Sequence, residues 1–276
     1  MPSELLIKAK QIRRGIVQAV YAANSGHPGG SLSAADIMAS LFFEEMRIDP
    51  AEPRKSSRDL FVLCKGHAAP ALYATLATRG YFASEELLSL RRLDSRLQGH
   101  PDMRKLPGVD YSTGSLGLGL SAAVGMALAA KTQQSDQRVY ALLGDGELQE
   151  GQVWEAAMSA AHYKLTNLVA IIDNNGLQID GNIGDVMNPY PLVDKWLAFG
   201  WHVVEIDGHS FDELNHAFKE ARVAAKPTVI IAKTVKGKGV SFMEGKAEWH
   251  GKAPSEAEFN LAMQELVEEE THGEGN

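Results

Sequence analysis

The sequence predicts an α/β fold built on a parallel sheet with helices on both faces. From residue 139 onward, short apolar runs alternate with helical stripes in a strand–helix–strand rhythm. The runs are continuously apolar, as in Leu168-Val169-Ala170-Ile171-Ile172, which is the mark of strands buried on both faces. Several runs end abruptly in glycine with a polar or charged residue, such as Gly144-Asp145-Gly146, as strand ends at a ligand-binding edge do.

The elements follow in order. Leu5, Ala9, Ile12, Ile16 and Val20 recur at helical spacing, with Ser3 as N-cap and an end near Asn24. The loop Ser25-Gly26-His27-Pro28-Gly29-Gly30 breaks this helix, and a second is expected over Ser31–Glu45. Glu52–Asp59 is polar. Leu60–Cys64 reads as a buried strand that stops at Lys65-Gly66-His67. Helices are expected over Pro70–Thr78 and Ser84–Arg92, a long loop over Gly99–Gly114, and a closely packed helix over Ser115–Lys131. Strands then fall at Val139–Leu143, Leu168–Ile172, His202–Ile206 and Thr228–Ala232. The helices between them are the stripe Trp154, Ala157, Met158, Ala161, Leu165, then Leu192–Phe199 and Phe211–Ala225. Residues 1–276 are expected to form one domain, with an acidic, solvated tail over about 268–276.

Composition narrows the class. Of 276 residues, 45% are apolar and 22% charged, which suits a soluble globular chain. The net charge of −8, with no Lys/Arg-rich run, argues against nucleic acid as a partner. Cys64 stands alone, so intrachain disulfides and cysteine-based zinc or iron–sulfur centres are excluded. No apolar run has transmembrane length and the first residues do not read as a signal peptide, so the expected location is the cytoplasm, with no membrane partner.

The strand ends hold the chemistry. Asp145 and Asn175 follow two successive strands and stand thirty residues apart, the length of one crossover. A carboxylate and an amide oxygen suit a hard cation such as Mg²⁺ or Ca²⁺. The flanking glycines admit a phosphate, and a helix starting near Glu147 would present its N–H groups to an anion. Taken singly each segment is an ordinary turn; the pairing at crossover spacing gives it meaning. A second cluster, Gly117-x-Gly119-x-x-Ala122, resembles a dinucleotide fingerprint but follows a Pro/Gly loop instead of a strand, which counts against a nicotinamide site. Among the nine histidines, His27, His67, His100, His209 and His250 stand next to glycine in loops of the chain. Such residues sit in turns, where each alone is most simply a loop histidine bonded to backbone. Together, converging as exposed imidazoles on a cleft, they would suit proton transfer and hydrogen bonds to sugar hydroxyls. His162, His202 and His216 fall within regular elements and read as structural.

Gly144-Asp145-Gly146-Glu147 through Asp173-Asn174-Asn175 resembles the cofactor signature of thiamine-diphosphate enzymes. Ser25-Gly26-His27-Pro28-Gly29, Lys65-Gly66-His67, Gly99-His100-Pro101, Thr113-Gly114-Ser115-Leu116-Gly117 and Trp249-His250-Gly251 narrow the resemblance to the N-terminal part of transketolases, from about Leu5 to Ala253. The resemblance implies the thiamine-diphosphate-binding fold, in its diphosphate-binding domain. It implies Mg²⁺ (or Ca²⁺) on Asp145, Asn175 and the Leu177 carbonyl. Gly114, Leu116 and Gly146 would be backbone contacts to thiamine diphosphate, and His67 a contact to its diphosphate. His27, His100 and His250 would surround the donor sugar, and Glu150 would communicate with a second active site across a dimer. The implied reaction moves a two-carbon ketol unit from a ketose phosphate to an aldose phosphate. A transketolase's pyrimidine-binding and C-terminal domains, with the glutamate that activates the aminopyrimidine, have no counterpart here. The implied partner is therefore a C-terminal transketolase subunit, in a dimer of heterodimers. The alternatives are a subunit of another thiamine-diphosphate enzyme, akin to deoxyxylulose-phosphate synthase or a 2-oxoacid dehydrogenase, and a non-catalytic scaffold subunit. His27-Pro28 and Gly99-His100-Pro101 favour transketolase, and a scaffold would not need the Asp145/Asn175 pair.

Overall fold

The computed structural model describes residues 3–267; the acidic tail expected from residue 268 lies outside them. In chain order the elements are α1 (Glu4–Ala23), α2 (Pro28–Ser33), α3 (Ala35–Ser40), β1 (Leu60–Leu63), α4 (Ala69–Arg79), α5 (Leu118–Thr132), β2 (Val139–Gly144), α6 (Gly151–His162), β3 (Leu168–Asn174), the short strands β4 (Leu177–Gln178) and β5 (Gly181–Asn182), α7 (Ile183–Val186), α8 (Leu192–Ala198), β6 (His202–Asp207), α9 (Phe211–Val223), β7 (Thr228–Lys233) and α10 (Glu256–Glu265).

The main sheet is parallel throughout, in the order β1-β2-β3-β7-β6. Its side chains alternate between two cores. Phe61, Tyr140, Val169, Ile171 and Ile230 pack with α3, α4 and α9 through Ile37, Leu72 and Phe218. Val62, Ala141, Ala170, Ile172 and Val229 pack with α5, α6 and α8 through Leu120, Val153 and Trp196. The central strands are buried on both faces, which is why they read as unbroken apolar runs. A third core joins α1 to α2 and α10 around Ile12, Ile16, Leu32 and Trp249.

Local chemistry sets the boundaries. The Ser3 hydroxyl caps α1 by accepting from the Leu6 N–H, and Asn24, at φ 47°, ends it. The single helix expected over Ser31–Glu45 is instead α2, α3 and a π-helical turn, Leu41–Glu45. Ser31 and Ser33 donate to the carbonyls of His27 and Gly30, a local competition that disfavours one long helix. The helix expected over Ser84–Arg92 is a 3₁₀ segment ending at Ser89, because the chain turns at Arg91 (φ 60°) and Asp94 (φ 63°). The N-terminus of α5 lies at Leu118 and not Ser115, since Gly117 has φ 86°. The helix expected near Glu147 is a 3₁₀ turn, Gly146–Gln149, with α6 starting only at Gly151.

Register then builds the site. Gly144 pairs with Asp173, so β2 and β3 end level and Asp145 and Asn175 leave the same edge of the sheet. Among the described residues no helix is long and apolar enough to cross a membrane.

Candidate functional site

The carboxyl ends of β1, β2 and β3, with the α2 loop and the turn before α10, enclose a cavity of about 340 Å³. It is lined by His27, His67, Gly114, Leu116, Asp145, Gly146, Glu150, Asn175, Leu177 and His250, together with Gly30, Lys65, Glu147 and Gln178. Every candidate named from the sequence is here except His100. That residue is exposed on the long loop, its backbone carbonyl accepting from the Tyr73 hydroxyl at 3.4 Å. Its ring lies against Gly114, where a Cβ would come within 3.3 Å of it at φ 155°. His209 is elsewhere altogether, bonded to Asp36 and to backbone, so a neighbouring glycine does not by itself mark a cleft histidine.

The oxygen donors are held by backbone. The two carboxylate oxygens of Asp145 accept from Gly146 N–H at 2.9 Å and Gly176 N–H at 2.6 Å. Asn175 Oδ1 accepts from Leu177 N–H at 3.1 Å, and its amide nitrogen donates to Asp173 at 3.4 Å. Burial, then the charge of Asp173, pushes the Asp145 carboxyl up to about 6. An anion so poorly compensated fits a divalent cation beside it. Asp145, Asn175 and the Leu177 carbonyl are all hard oxygen donors, and one formal charge among three leaves coordination for phosphate oxygens. Among the described residues no group of three or more His, Cys, Asp or Glu side chains is placed to hold a metal ion, so this mixed set is the available one. Gly30, Gly114, Gly144 and Gly146 line the same space and leave backbone facing a ligand. The residues therefore fit a metal-bound diphosphate.

The three cleft imidazoles form a triangle. Ring centroids are 5.4 Å apart for His27–His67, 5.3 Å for His27–His250 and 5.2 Å for His67–His250. Burial, then Arg91 and His100, brings His27 down to about 4. Burial, then Lys236 and His27, does the same to His250. Burial and Lys65 hold His67 well below its ordinary value. The sequence suggests exposed imidazoles titrating near neutrality. The structure corrects this: crowded against one another and two ammonium groups, they are partly buried, neutral hydrogen-bonding groups.

Four residues to which the motifs assign no role also shape the cleft. Lys65 pairs with Asp173 and donates to the Gly30 carbonyl at 2.8 Å. Asp173 also accepts from Ser33, at 2.6 Å, and from Thr234. Burial opposes its ionisation, but Lys65 and these hydrogen bonds hold its carboxyl below the usual range. Glu147 accepts from Gly117 N–H at 2.9 Å and Gly144 N–H at 3.3 Å, tying two glycine loops together; burial pushes it up to about 7. Lys236 stands behind the wall, 3.2 Å from His250 Nδ1 and 3.4 Å from the Leu177 carbonyl. The sequence carries one partial signal for it, since Lys236-Gly237 follows β7 as Lys65-Gly66 follows β1.

The fold and cleft define an open parallel α/β protein with an anion-suited site at the carboxyl edge of its sheet. Residues 6–271 match the family described as transketolase, thiamine diphosphate binding domain. The chain is 46% identical to a 6-deoxy-6-sulfo-D-fructose transketolase subunit of Clostridium sp., covering 96% of this chain and 97% of that protein. It is 43% identical to an apulose-4-phosphate transketolase subunit of Phocaeicola vulgatus, covering 96% and 94%. The crystal structure of transketolase from Campylobacter jejuni superposes with a TM-score of 0.90 at 37% identity, over 96% of this chain but only 43% of that one. The chain belongs to the transketolase family.

Proposed function

We propose that this chain is the diphosphate-binding subunit of a two-chain transketolase, which moves a two-carbon ketol unit from a ketose phosphate to an aldose phosphate. The observation that carries the reading is the meeting of Asp145, Asn175 and the Leu177 carbonyl with His27, His67 and His250 on one cavity. Asp145, Asn175 and Leu177 would hold Mg²⁺ (or Ca²⁺), and His67, Gly114, Leu116 and Gly146 would hold thiamine diphosphate. When bound, the cofactor supplies the electron sink for the two-carbon fragment.

This chain's own contribution is binding and orientation. Lys236 donates to His250 Nδ1, which leaves Nε2 as the protonated nitrogen of that ring. Neutral His27 and His250 can each donate to one sugar oxygen and accept from another group, and their depressed basicity keeps them neutral at physiological pH. His100, at the mouth, would meet the substrate from the solvent side.

The partner we propose is a subunit carrying pyrimidine-binding and C-terminal domains, in a cytoplasmic dimer of heterodimers. The Clostridium and Phocaeicola relatives, matched over nearly their whole length, are both named as subunits, which supports it. Glu150, exposed at the N-terminus of α6, would face the second site. The test is ketol transfer by the purified chain mixed with the product of a neighbouring gene encoding such domains. The donors are xylulose 5-phosphate, apulose 4-phosphate and 6-deoxy-6-sulfofructose. Transfer from either phosphorylated donor supports the reading, and transfer from the sulfonated donor alone keeps the ketol transfer and replaces the phosphate by a sulfonate. Absence of transfer from all three, with cofactor bound, overturns it.

A further inference from the structure

One glycine-flanked histidine is not accounted for by the cleft. His209 lies between β6 and α9, in contact with a buried acid–base network. Its Nδ1 is 2.7 Å from Asp36 Oδ2 in α3, and its Nε2 accepts from the Val235 N–H at 2.9 Å. A backbone N–H can only donate, so Nε2 carries the lone pair and the ring proton is on Nδ1, directed at Asp36. Asp36 is fixed in turn by a two-pronged contact from Arg13 of α1, at 3.0 and 2.6 Å, and both residues are buried. The same guanidinium donates through Nε to the Lys238 carbonyl at 3.0 Å. Val235 and Lys238 flank Lys236. The network thus grips the backbone on either side of the lysine that contacts His250 and the Leu177 carbonyl. Gly237 N–H donates to the Gly29 carbonyl at 2.9 Å, so the gripped segment is also fastened to the first turn of α2, beside His27.

We propose that His209 is a positioning residue: with Asp36 and Arg13 it holds Val235 and Lys238, and through them sets Lys236 against His250 and the Leu177 carbonyl. This rests on the functional reading above, because Lys236 matters only if an anionic cofactor and a sugar occupy the cleft. A purely structural pin would act on stability. A positioning residue acts on the cleft through Lys236 and through nothing else.

A double-mutant cycle separates the two. Affinity for thiamine diphosphate, with Mg²⁺ present, is measured by quenching of tryptophan fluorescence in the complex with the partner subunit. The proteins are the parent, His209→Asn, Lys236→Met and the double variant. Asn can still donate to Asp36 but cannot reach Val235. We expect each single variant to bind about tenfold more weakly, and the double variant to fall within about threefold of Lys236→Met, the non-additivity of residues in one network. His209→Gln, whose amide oxygen reaches further, recovers most of the affinity. Melting temperatures within about 4 °C of the parent, a loss of about 1 kcal/mol, keep the cycle clear of unfolding. Should His209→Asn melt lower, the ring-nitrogen NMR signature of the parent decides, since a proton on Nε2 at neutral pH overturns the proposal. Parent-like binding by His209→Asn, or a double variant that loses the product of both effects, overturns it while leaving the functional reading intact. A parent complex that does not bind the cofactor overturns both.

Discussion

Lys65 and Asp173 form an ion pair with almost no solvent contact, 1% and 0% exposed, where the ends of β1, β3 and β7 meet the α2 loop. The pair joins the two halves of the cleft. Lys65 fastens the Gly30 carbonyl beside the His27 loop, and Asp173 lies two residues before Asn175 and orients its amide. Placing Asn175 Nδ2 toward Asp173 leaves Oδ1 for a cation, much as outer partners orient metal ligands elsewhere.

Asp173→Asn should therefore be strongly destabilising. Breaking a buried pair from one side leaves an uncompensated charge, at about 3–5 kcal/mol. Replacing both partners together, Lys65→Met with Asp173→Leu, should recover a large part of that loss. Urea unfolding of the purified chain measures both. Parent-like stability of Asp173→Asn would show that Lys65 finds another partner and that the pair does not hold the two halves of the cleft together.

Asp145→Ala should weaken thiamine diphosphate binding by about 3 kcal/mol or more, roughly a hundredfold, because the proposed cation loses its charged ligand. Asn175→Ala removes a neutral donor and should have a smaller effect. Calorimetric titration of cofactor into the complex with its partner, in Mg²⁺, gives both numbers. Undiminished affinity in Asp145→Ala would sink the ligand assignment.

The cleft histidines make the stability of this chain depend on pH. His27 and His250 are depressed from 6.5 to about 4 by burial and neighbouring positive charge. Between these values the unfolded chain binds more protons than the folded one, so their contribution to stability is complete above about pH 6.5 and is lost as pH falls toward 4. Asp145 and Glu147, raised to about 6 and about 7, act in the opposite direction. The comparison must therefore be between variants. His27→Gln and His250→Gln should each lose less melting temperature than the parent on acidification from about pH 7 to about pH 4.5. A variant slope as steep as the parent's would show that these imidazoles charge freely in the fold.

The parts of this molecule that are legible in the sequence share one property: they repeat or they punctuate. Continuous apolar runs such as Leu168–Ile172 mark the buried parallel strands, because burial on both faces leaves no polar positions. Gly144-Asp145-Gly146 and Asp173-Asn174-Asn175 mark the adjoining strand ends, because crossover spacing is a property of chain length. What is not legible depends on three-dimensional neighbours. The break at Ala34 follows from serine hydroxyls turning back on the backbone. The low basicity of His27 and His250 follows from burial first, then from the neighbouring charges of Arg91 and Lys236 and the crowding of other rings, none of which a local pattern records. His209 resembles the glycine-flanked histidines of the cleft in sequence and differs because Asp36 lies beside it. Lys236 is a strand-end residue of the same kind as Lys65, but the end of β7 carries no oxygen-donor motif, and only the fold brings the lysine to His250.

Large apolar side chains are exposed around the cleft: Leu116 at 37%, Leu118 at 42%, Ile179 at 66% and Met187 at 62%. Leu116 and Ile179 line the cavity itself, and the Met187 carbonyl holds the side chain of Gln149, another lining residue. Apolar surface gathered at the rim of a polar cleft marks an interaction face. An obligate partner covering it would bury about 2,000 Å² or more, and two-fold symmetry would then bring two such pairs together. Two substitutions on this rim test the face without touching the proposed metal ligands or imidazoles: Leu118→Asp and Ile179→Glu. Each should leave the melting temperature of the isolated chain unchanged or slightly raised, since an exposed apolar group is exchanged for a charged one. Each should weaken association with the partner by about tenfold or more, measured by analytical ultracentrifugation. Ketol transfer should fall in step and return at high partner concentration, while the isolated parent chain gives none. Rim variants that assemble as the parent does, or robust ketol transfer by the chain alone, would place the partner elsewhere or remove the need for one.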